Sequence, residues 1–170
     1  MQYAVFLRAI NVGSHNRIKM DELKKILLEL HCSSVTTYLQ TGNILLESEL
    51  SQETLAITLE TVLLEKAFKD AFVFVRTRAE MQQLLEIQPF GKQSETHHEY
   101  ISLLRQPSTL ELPAPKGFEI VQHEAQTVFT RVLNQPNSVQ PNAWLEKHLK
   151  VKATTRYWRV VEDVIGHMGL

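Results

Sequence analysis

Residues 3–30, YAVFLRAINVGSHNRIKMDELKKILLEL, contain the signals of a strand, a polar loop and a helix in succession. Residues 3–7 are apolar or aromatic, which predicts a buried strand. Apolar residues recur at helical spacing from residue 20 to residue 30. Asp21 and Glu22 stand in the first turn of this helix, where carboxylates complement the helix dipole. The residues between strand and helix, 8–19, form a polar loop.

The same kind of pattern continues to residue 77. After the first helix it predicts a strand, a turn, a strand, a helix with Ser51 as its N-cap, and a fourth strand: residues 35–39, 41–43, 44–47, 51–67 and 71–76. The resulting order, β-α-β-β-α-β, is that of the split βαβ motif. We therefore predict an α+β protein whose first half, residues 1–77, is a ferredoxin-like subdomain.

Residues 78–170 predict a second, less regular α+β subdomain that packs on the first. Its expected elements are a helix at 79–87, strands at 99–104, 118–122 and 127–133, and a helix at 142–149. A proline-rich connection, residues 106–117, separates the first two of these strands. A C-terminal helix is expected after Thr154 or Thr155 as the capping residue, with Trp158 on its apolar side.

Two polar loops of the first half should meet at one edge of its sheet. In a split βαβ arrangement the first and second strands run toward the same edge, so residues 8–19 and the hairpin at 40–43 become neighbours. The first twenty residues carry three cationic side chains and no carboxylate. The N-terminus of the first helix, which favours anions, ends at the same edge. We therefore expect a small anionic ligand there, either a phosphorylated, a nucleotide-like or a carboxylate compound.

The candidate ligand-binding residues are polar, cationic or conformationally permissive: Arg8, Asn11, Gly13, Asn16, Lys19, Gln40, Thr41, Asn43 and Arg156. An arginine offers a planar fork of donors to a carboxylate or phosphate. For the asparagines the alternative is structural, because such side chains also bind backbone groups and favour turns. For Gly42 and Asn43 the turn role is preferred. Whether Arg156 adjoins the first loop is left open by the sequence.

Composition limits the other possibilities. The chain has 170 residues, 44% of them hydrophobic, and a formal net charge of −1, which gives no global field to attract nucleic acid. Its one cysteine, Cys32, excludes an intramolecular disulfide and a cysteine-based zinc site. The N-terminus does not resemble a signal peptide, and no membrane-spanning stretch is present, so we expect a cytoplasmic location and no membrane partner.

No reaction or cofactor is predicted. The sequence contains no P-loop, GxGxxG, HExxH or GxSxG motif. No metal site is predicted either, since the only candidate set, Glu95, His98 and Glu99, is weak. Cys32 follows an apolar helix and is interpreted as a small core residue.

Three separated stretches resemble the domain of unknown function 1697 family: FLRAINVGSHNRIKM at 6–20, TYLQTGNILLES at 37–48 and TTRYWRVV at 154–161. The resemblance implies an α+β protein of two joined subdomains, found mostly in bacteria and without an established activity. This chain departs from the family pattern at three positions. Ala9 and Ser14 stand where glycine is usual, and Tyr157 stands where asparagine is usual.

Two other functions compete with the small-ligand hypothesis. The β-α-β-β-α-β order is shared with RNA-recognition domains, which suggests an RNA or single-stranded nucleic-acid binding module, although the third strand lacks aromatic residues. The other alternative is a protein-interaction module without a small ligand. Oligomeric partners are not predicted.

Overall fold

A computed structural model describes residues 1–11, 16–92, 94–108 and 113–170. The strands in these ranges are β1 Gln2–Arg8, β2 Ser33–Tyr38, β3 Asn43–Glu47, β4 Phe72–Thr77, β5 His97–Leu104, β6 Phe118–Glu124, β7 Thr127–Leu133 and β8 Ala153–Tyr157. The helices are α1 Met20–Glu29, α2 Gln52–Glu65, α3 Arg78–Ile87, α4 Pro141–Leu149 and α5 Trp158–His167. The protein is therefore α+β, as predicted.

The contacts between residues divide the chain into two compact units. The first consists of Met1–Leu84 together with Val164–Leu170, and the second of Leu85–Asp163. Each unit contains one four-stranded antiparallel sheet. Among the described helices, the longest has 14 residues, and none is long and apolar enough to cross a membrane.

The first sheet has the strand order β2-β3-β1-β4. The predicted element order β-α-β-β-α-β is observed from β1 to β4, whereas the ferredoxin-like assignment of this half stays a prediction. The central strand β1 pairs antiparallel with β3 through Ala4↔Leu45 and with β4 through Ala4↔Arg76. Since β1 and β2 lie on either side of β3 and run in the same direction, their C-terminal ends reach one edge of the sheet.

Helices α1 and α2 pack on one face of this sheet and form a buried core with it. Alternate residues of β1, among them Tyr3, Val5 and Leu7, contribute to a buried cluster with α1 and α2. The predicted cap of α2 is observed, because the Ser51 hydroxyl accepts a hydrogen bond from the Thr54 N–H at 3.2 Å. Cys32 is buried after α1, and desolvation raises the pKa of its thiol, as expected of a packed core residue.

The second sheet has the order β6-β7-β5-β8, which repeats the relation between the strands of the first sheet. In each sheet the first and third strands along the chain are central, β1 and β3 in one and β5 and β7 in the other. The second strand lies at one edge, and the fourth, which follows a helix, lies at the other. Helix α4 covers part of one face, packing Leu145 and Leu149 against Leu104, Val128 and Ala153. None of the described residues between β5 and β6 is helical, whereas α1 follows the first strand in the first sheet.

The expected capping role of Thr154 or Thr155 is wrong. Both residues belong to β8, which pairs with β5 from Tyr100↔Tyr157 to Leu104↔Ala153, and α5 begins only at Trp158. Thr154 is buried, and β-branched residues suit a half-buried sheet position as well as they suit a cap. These threonines therefore pair with β5 in the sheet instead of capping a helix. Trp158 is a buried residue of the second unit, as predicted, with its ring near those of Phe90 and Phe129.

Replacing Gly42 by alanine should destabilise the protein by about 3 kcal/mol. The residue has φ +76°, which costs a non-glycine residue about 1 kcal/mol, and an added Cβ would lie 2.7 Å from the Leu7 Cβ, which adds an overpacking cost. The matched control is Gly91→Ala. Gly91 has φ +60°, but among the described residues none apart from its two chain neighbours comes within 4 Å of an added Cβ, so only about 1 kcal/mol should be lost. Urea unfolding would measure both, and equal losses would contradict the steric argument.

Replacing Thr130 by valine should leave stability unchanged or raise it by about 1 kcal/mol. Its hydroxyl oxygen is buried without a hydrogen-bond partner among the described residues, and a methyl group removes that cost. Thr155→Val is the control, because the Thr155 hydroxyl bonds the Ser102 Oγ at 2.7 Å and the Asn142 Oδ1 at 3.1 Å. The control should lose about 1.5 kcal/mol in the same urea titration. A larger loss for Thr130→Val than for Thr155→Val would overturn this assignment.

Candidate functional site

The two predicted loops are neighbours in the first unit. The Asn11 Nδ2 donates to the Gln40 carbonyl oxygen at 3.1 Å, and the Leu7 N–H donates to the Gly42 carbonyl oxygen at 2.8 Å. These bonds join the chain after β1 to the hairpin between β2 and β3. We call this surface the loop edge, and it comprises residues 8–11, 16–19 and 40–43. The expectation that the two sequence-distant loops meet is therefore confirmed.

Asn11 also forms hydrogen bonds with backbone groups of its own loop. Its Nδ2 also donates to the Ile18 carbonyl oxygen at 3.0 Å, and its Oδ1 accepts from the Ile18 N–H at 2.9 Å. Its own N–H donates to the Asn16 carbonyl oxygen at 2.9 Å. Both the nitrogen and the oxygen of the Asn11 carboxamide therefore bind backbone groups. This is the structural alternative that the sequence left open for the asparagines.

Asn16 and Asn43 have structural roles of the same kind. The Asn16 Nδ2 donates to the Ala9 carbonyl oxygen at 3.0 Å and to the Lys69 carbonyl oxygen at 2.7 Å. Asn16 thereby connects the loop after β1 to the segment before β4. The Asn43 side chain is buried, and it donates to the Tyr38 carbonyl oxygen within the hairpin at 3.0 Å. Both asparagines thus bind backbone carbonyls, Asn16 between two segments and Asn43 within its own hairpin.

The backbone of the first loop adopts left-handed conformations that limit which residues fit. Ala9, Asn11 and Asn16 have φ values of +60°, +56° and +51°. Asparagine tolerates this region, but alanine at such a φ costs about 1–2 kcal/mol. Gly13, another candidate, lies outside the described residues, as does Ser14.

The remaining candidates of the loop edge are cationic or exposed polar residues. Lys19 is exposed and occupies the N-cap position of α1, and its own side chain makes no capping hydrogen bond. The Arg8 guanidinium lies over the Phe72 ring, 5.5 Å from its centroid. Gln40 and Thr41 are exposed in the hairpin, where the Thr41 hydroxyl also accepts from Asn43 at 2.9 Å. The loop edge thus combines exposed polar groups with the positive end of a helix.

Arg156 lies in the second unit, within β8. Its Nη1 donates to the Thr154 Oγ1 at 2.8 Å and to the Thr155 carbonyl oxygen at 3.0 Å. Desolvation by burial lowers the pKa of its guanidinium to about 10. The side chain is therefore still charged at neutral pH, and two of its hydrogen-bond acceptors are groups of its own strand.

The second unit contains a cleft that the sequence does not predict. It has a volume of about 870 Å³ and lies where β5 begins, β8 ends and α5 begins. We call it the second-unit cleft, and its lining includes Glu95, His97, His98, Tyr157, Arg159 and Glu162. These residues come from separate segments without a recognisable motif, so only the folded strands bring them together.

Aromatic residues stand at one side of this cleft. Tyr100 and Tyr157 are opposite each other on β5 and β8, and their rings stack with centroids 4.7 Å apart. His98 meets the Tyr157 ring edge-on at 5.6 Å. Burial raises the pKa of the Tyr100 phenol, and the hydrogen bond with Tyr157 raises it further. Tyr157 itself remains 49% exposed, so one ring of the stack is available to a ligand.

The weak metal candidate of the sequence, Glu95, His98 and Glu99, does not form a metal site. Across residues 1–11, 16–92, 94–108 and 113–170, no group of three or more histidine, cysteine, aspartate or glutamate residues is arranged to hold a metal ion. Glu99 instead pairs with Arg131, whose Nε lies 3.2 Å from its Oε1. His98 is engaged with the two tyrosines.

Comparison with known proteins assigns the chain to a family. The family model described as protein of unknown function DUF1697 matches residues 1–132. The chain belongs to the DUF1697 family. The resemblance of the first two stretches, at 6–20 and 37–48, is thereby confirmed, whereas the third, at 154–161, lies outside the matched residues. No match was found among the curated proteins.

A solved structure shares the fold of this DUF1697 chain. It is that of the conserved bacterial protein SP0830 from Streptococcus pneumoniae, with a TM-score of 0.69 and 20% sequence identity. The alignment covers 97% of both chains. At this identity the likeness supports the α+β fold across the whole length of the chain, and function has to be argued from the site itself.

Replacing Asn11 by aspartate should destabilise the first unit by about 2 kcal/mol. Aspartate keeps the oxygen that faces the Ile18 N–H but loses both donors, and it places a charge against the carbonyls of Ile18 and Gln40. Asn137→Asp is the control, because Asn137 is also left-handed, with φ +61°, but exposed. The control should change stability by less than about 0.5 kcal/mol in thermal or urea unfolding. Similar losses for the two variants would contradict the assigned role of Asn11.

Proposed function

We propose that this DUF1697 protein binds a small anionic ligand at the loop edge of its first unit. The ligand class is a phosphorylated, nucleotide-like or carboxylate compound. The observation that carries the proposal is the pair of hydrogen bonds from Asn11 to Ile18 and Gln40, which fixes two polar loops beside the N-terminus of α1. A preorganised edge of this kind avoids part of the ordering cost of binding.

The charges at the loop edge support an anion over a cation. Arg8, Arg17 and Lys19 lie in or beside the first loop, and the N-terminus of α1 adds a partial positive charge of about one half. Two carboxylates, Asp21 and Glu22, oppose them from the first turn of α1. Three cations and the helix end outweigh two carboxylates, so the local balance favours a negative ligand although the whole chain has net charge −1.

The structural roles of the asparagines narrow the set of ligand-binding side chains. Since Asn11, Asn16 and Asn43 bind backbone carbonyls, the ligand-contacting role falls on Arg8, Lys19, Gln40 and Thr41. Lys19 supplies a point charge at the helix end, whereas Arg8 supplies a planar fork of donors. The hydrogen bond from Asn11 to the Gln40 carbonyl oxygen constrains the backbone at Gln40. The exposed Gln40 side chain therefore starts from a fixed position.

Nucleic acid is a weaker candidate for the same surface. RNA-recognition domains stack bases on aromatic side chains of the central strands. In this chain the aromatic residues of the central strand β1, Tyr3 and Phe6, are buried, and the described part of its neighbour β3 contains no aromatic residue. A small anion needs no such platform.

The proposal is tested by thermal unfolding with inorganic phosphate, nucleotides, sugar phosphates and dicarboxylates at constant ionic strength. A ligand at 100 times its dissociation constant should stabilise the protein by about 2.7 kcal/mol. Lys19→Gln should weaken that ligand about fivefold, which corresponds to the loss of one charge-assisted contact of about 1 kcal/mol. Lys25→Gln, which removes an exposed charge elsewhere on α1, should leave the affinity unchanged.

Arg8→Lys tests whether the ligand is bound by the planar guanidinium group of Arg8 or only by its positive charge. A ligand held by the planar guanidinium should bind Arg8→Lys more weakly although the charge is kept. No stabilisation by any compound of the panel, with the protein shown to be folded, would refute the anion site. If Lys19→Gln and Lys25→Gln lowered the ligand affinity equally, the binding would reflect general electrostatic attraction. This result would also refute the anion site.

A further inference from the structure

The two sheets place four strands at their edges, β2 and β4 in the first unit and β6 and β8 in the second. Every second residue of such a strand directs its N–H and carbonyl groups away from the sheet, where another strand can pair with them. Folded proteins usually block these groups with side chains, charges or bulges. An edge that is not blocked is a candidate surface for a further strand.

Both edge strands that follow a helix, β4 and β8, are blocked by a glutamate of that helix. The N–H of Val73 in β4 donates to the Glu60 Oε1 of α2 at 2.8 Å. The N–H of Ala153 in β8 donates to the Glu146 Oε1 of α4, also at 2.8 Å. Since these carboxylates occupy donors that an incoming strand would need, neither edge is open.

Strand β6 is blocked in a different way. It has an exposed glutamate near each end, Glu119 and Glu124, and its register with β7 shifts between Ile120 and Gln122. Charges on an edge oppose the approach of a like-charged strand, and a bulge twists the edge away from a flat partner. Strands β4, β6 and β8 thus each carry a blocking device.

The hydrogen bonds of β1 show which residues of β2 point outward. The Leu7 N–H donates to the Gly42 carbonyl oxygen at 2.8 Å, so this group of Gly42 points toward β1. By the alternation of an antiparallel ladder, the backbone groups of Leu45 point toward β2, where Leu45 is paired with Thr36. The backbone groups of Thr36 therefore point inward, toward β3, and those of its two neighbours point outward.

The outward residues of β2, Val35 and Thr37, are not covered. Among the described residues, no side chain forms a hydrogen bond with the backbone of either one. The strand, SSVTTY, contains no charged residue and no proline. Its irregularity, a register shift between Ser33 and Thr36, lies at its beginning, where Ser34 has φ +52°. We call residues 35–37, which follow Ser34, the open edge.

A second copy of the same strand fits the open edge. Two copies can pair antiparallel about a two-fold axis, and centring the pair on Thr36 places each Val35 opposite the other copy's Thr37. Because both residues point outward, each such pair can exchange both of its N–H···O bonds. The two Thr36 residues then face each other in a non-hydrogen-bonded pair, where cross-strand side chains come closest.

The composition of the strand favours this occupant. In a two-fold pair the residue at the axis meets itself, so a charge there would repel its own copy, and β2 contains only serine, threonine, valine and tyrosine. β-Branched residues also suit cross-strand pairs. We propose that two copies of the protein associate through their open edges, which joins their first sheets into one antiparallel sheet. The two loop edges would lie at opposite ends of the joined sheet, so the association is separate from the anion site.

Sedimentation equilibrium of the full chain over a series of concentrations tests the proposal. A reversible monomer–dimer equilibrium is expected, with a dissociation constant no weaker than about 1 mM. The dimer should be weak, because a short strand pair buries little area. It should form no larger species, because pairing about a two-fold axis uses the open edge of both copies. A monomer at all concentrations up to about 1 mM would overturn the proposal.

Opposite charges at Thr36 locate the interface, because this residue is exposed and lies at the proposed axis. Thr36→Lys and Thr36→Glu should each weaken the dimer about fivefold at low salt, since like charges meet across the axis. An equimolar mixture of the two variants should associate at least as tightly as the unmodified protein. Thr61→Lys, which adds an exposed charge on α2, is the control and should dimerise normally.

Urea unfolding of each variant would show that the fold is kept. If Thr36→Lys dimerised as well as the unmodified protein, or no more weakly than Thr61→Lys, the contact would lie elsewhere and the proposal would be wrong. A mixture of Thr36→Lys and Thr36→Glu that stayed monomeric would also overturn it, because a two-fold pair at this residue requires the opposite charges to attract.

Discussion

One carboxamide, that of Asn11, holds the loop edge of the first unit together. It uses both hydrogens and its oxygen on the backbone of Ile18 and Gln40, while its own backbone is left-handed at φ +56°. Asparagine meets both demands, since it tolerates this conformation and carries donors and an acceptor on a short side chain. Aspartate lacks the donors, glycine lacks the side chain, and glutamine is one methylene longer. The position of Lys19 and Gln40 relative to each other depends on this residue.

Much of the first half was predictable from periodicity and topology. Apolar residues at strand and helix spacing gave the elements from β1 to β4 to within a few residues at their ends, and the right order of strands brought the two loops together. The individual roles of Asn11, Asn16 and Asn43 were not predictable, because an asparagine in a polar loop is equally suited to bind a ligand or a carbonyl. Only the positions of the acceptor atoms in space decide between these roles.

The second half was less predictable for a related reason. Thr154 and Thr155 before an amphipathic helix have the pattern of a cap, but they lie opposite Leu103 and Ser102 in a strand. That strand pairs with a partner about fifty residues earlier, and such long-range pairing leaves no local signal. The second-unit cleft was missed on the same grounds, since its residues come from the start of β5, the end of β8 and α5.

The two sheets show how one strand order can support different surfaces. Both have a first strand and the second strand of a hairpin at their centre, in the orders β2-β3-β1-β4 and β6-β7-β5-β8. In the first, α1 follows the first strand, and the segment between them carries three cations. In the second, no described residue after β5 forms such a helix, and the opposite end of β5 carries aromatic residues and carboxylates instead. Because the paired strands fix the backbone in both units, a few loop and strand-end residues are enough to give different surfaces. The side chains that distinguish the two surfaces therefore lie in the connecting segments and at the strand ends rather than in the middle of the sheets.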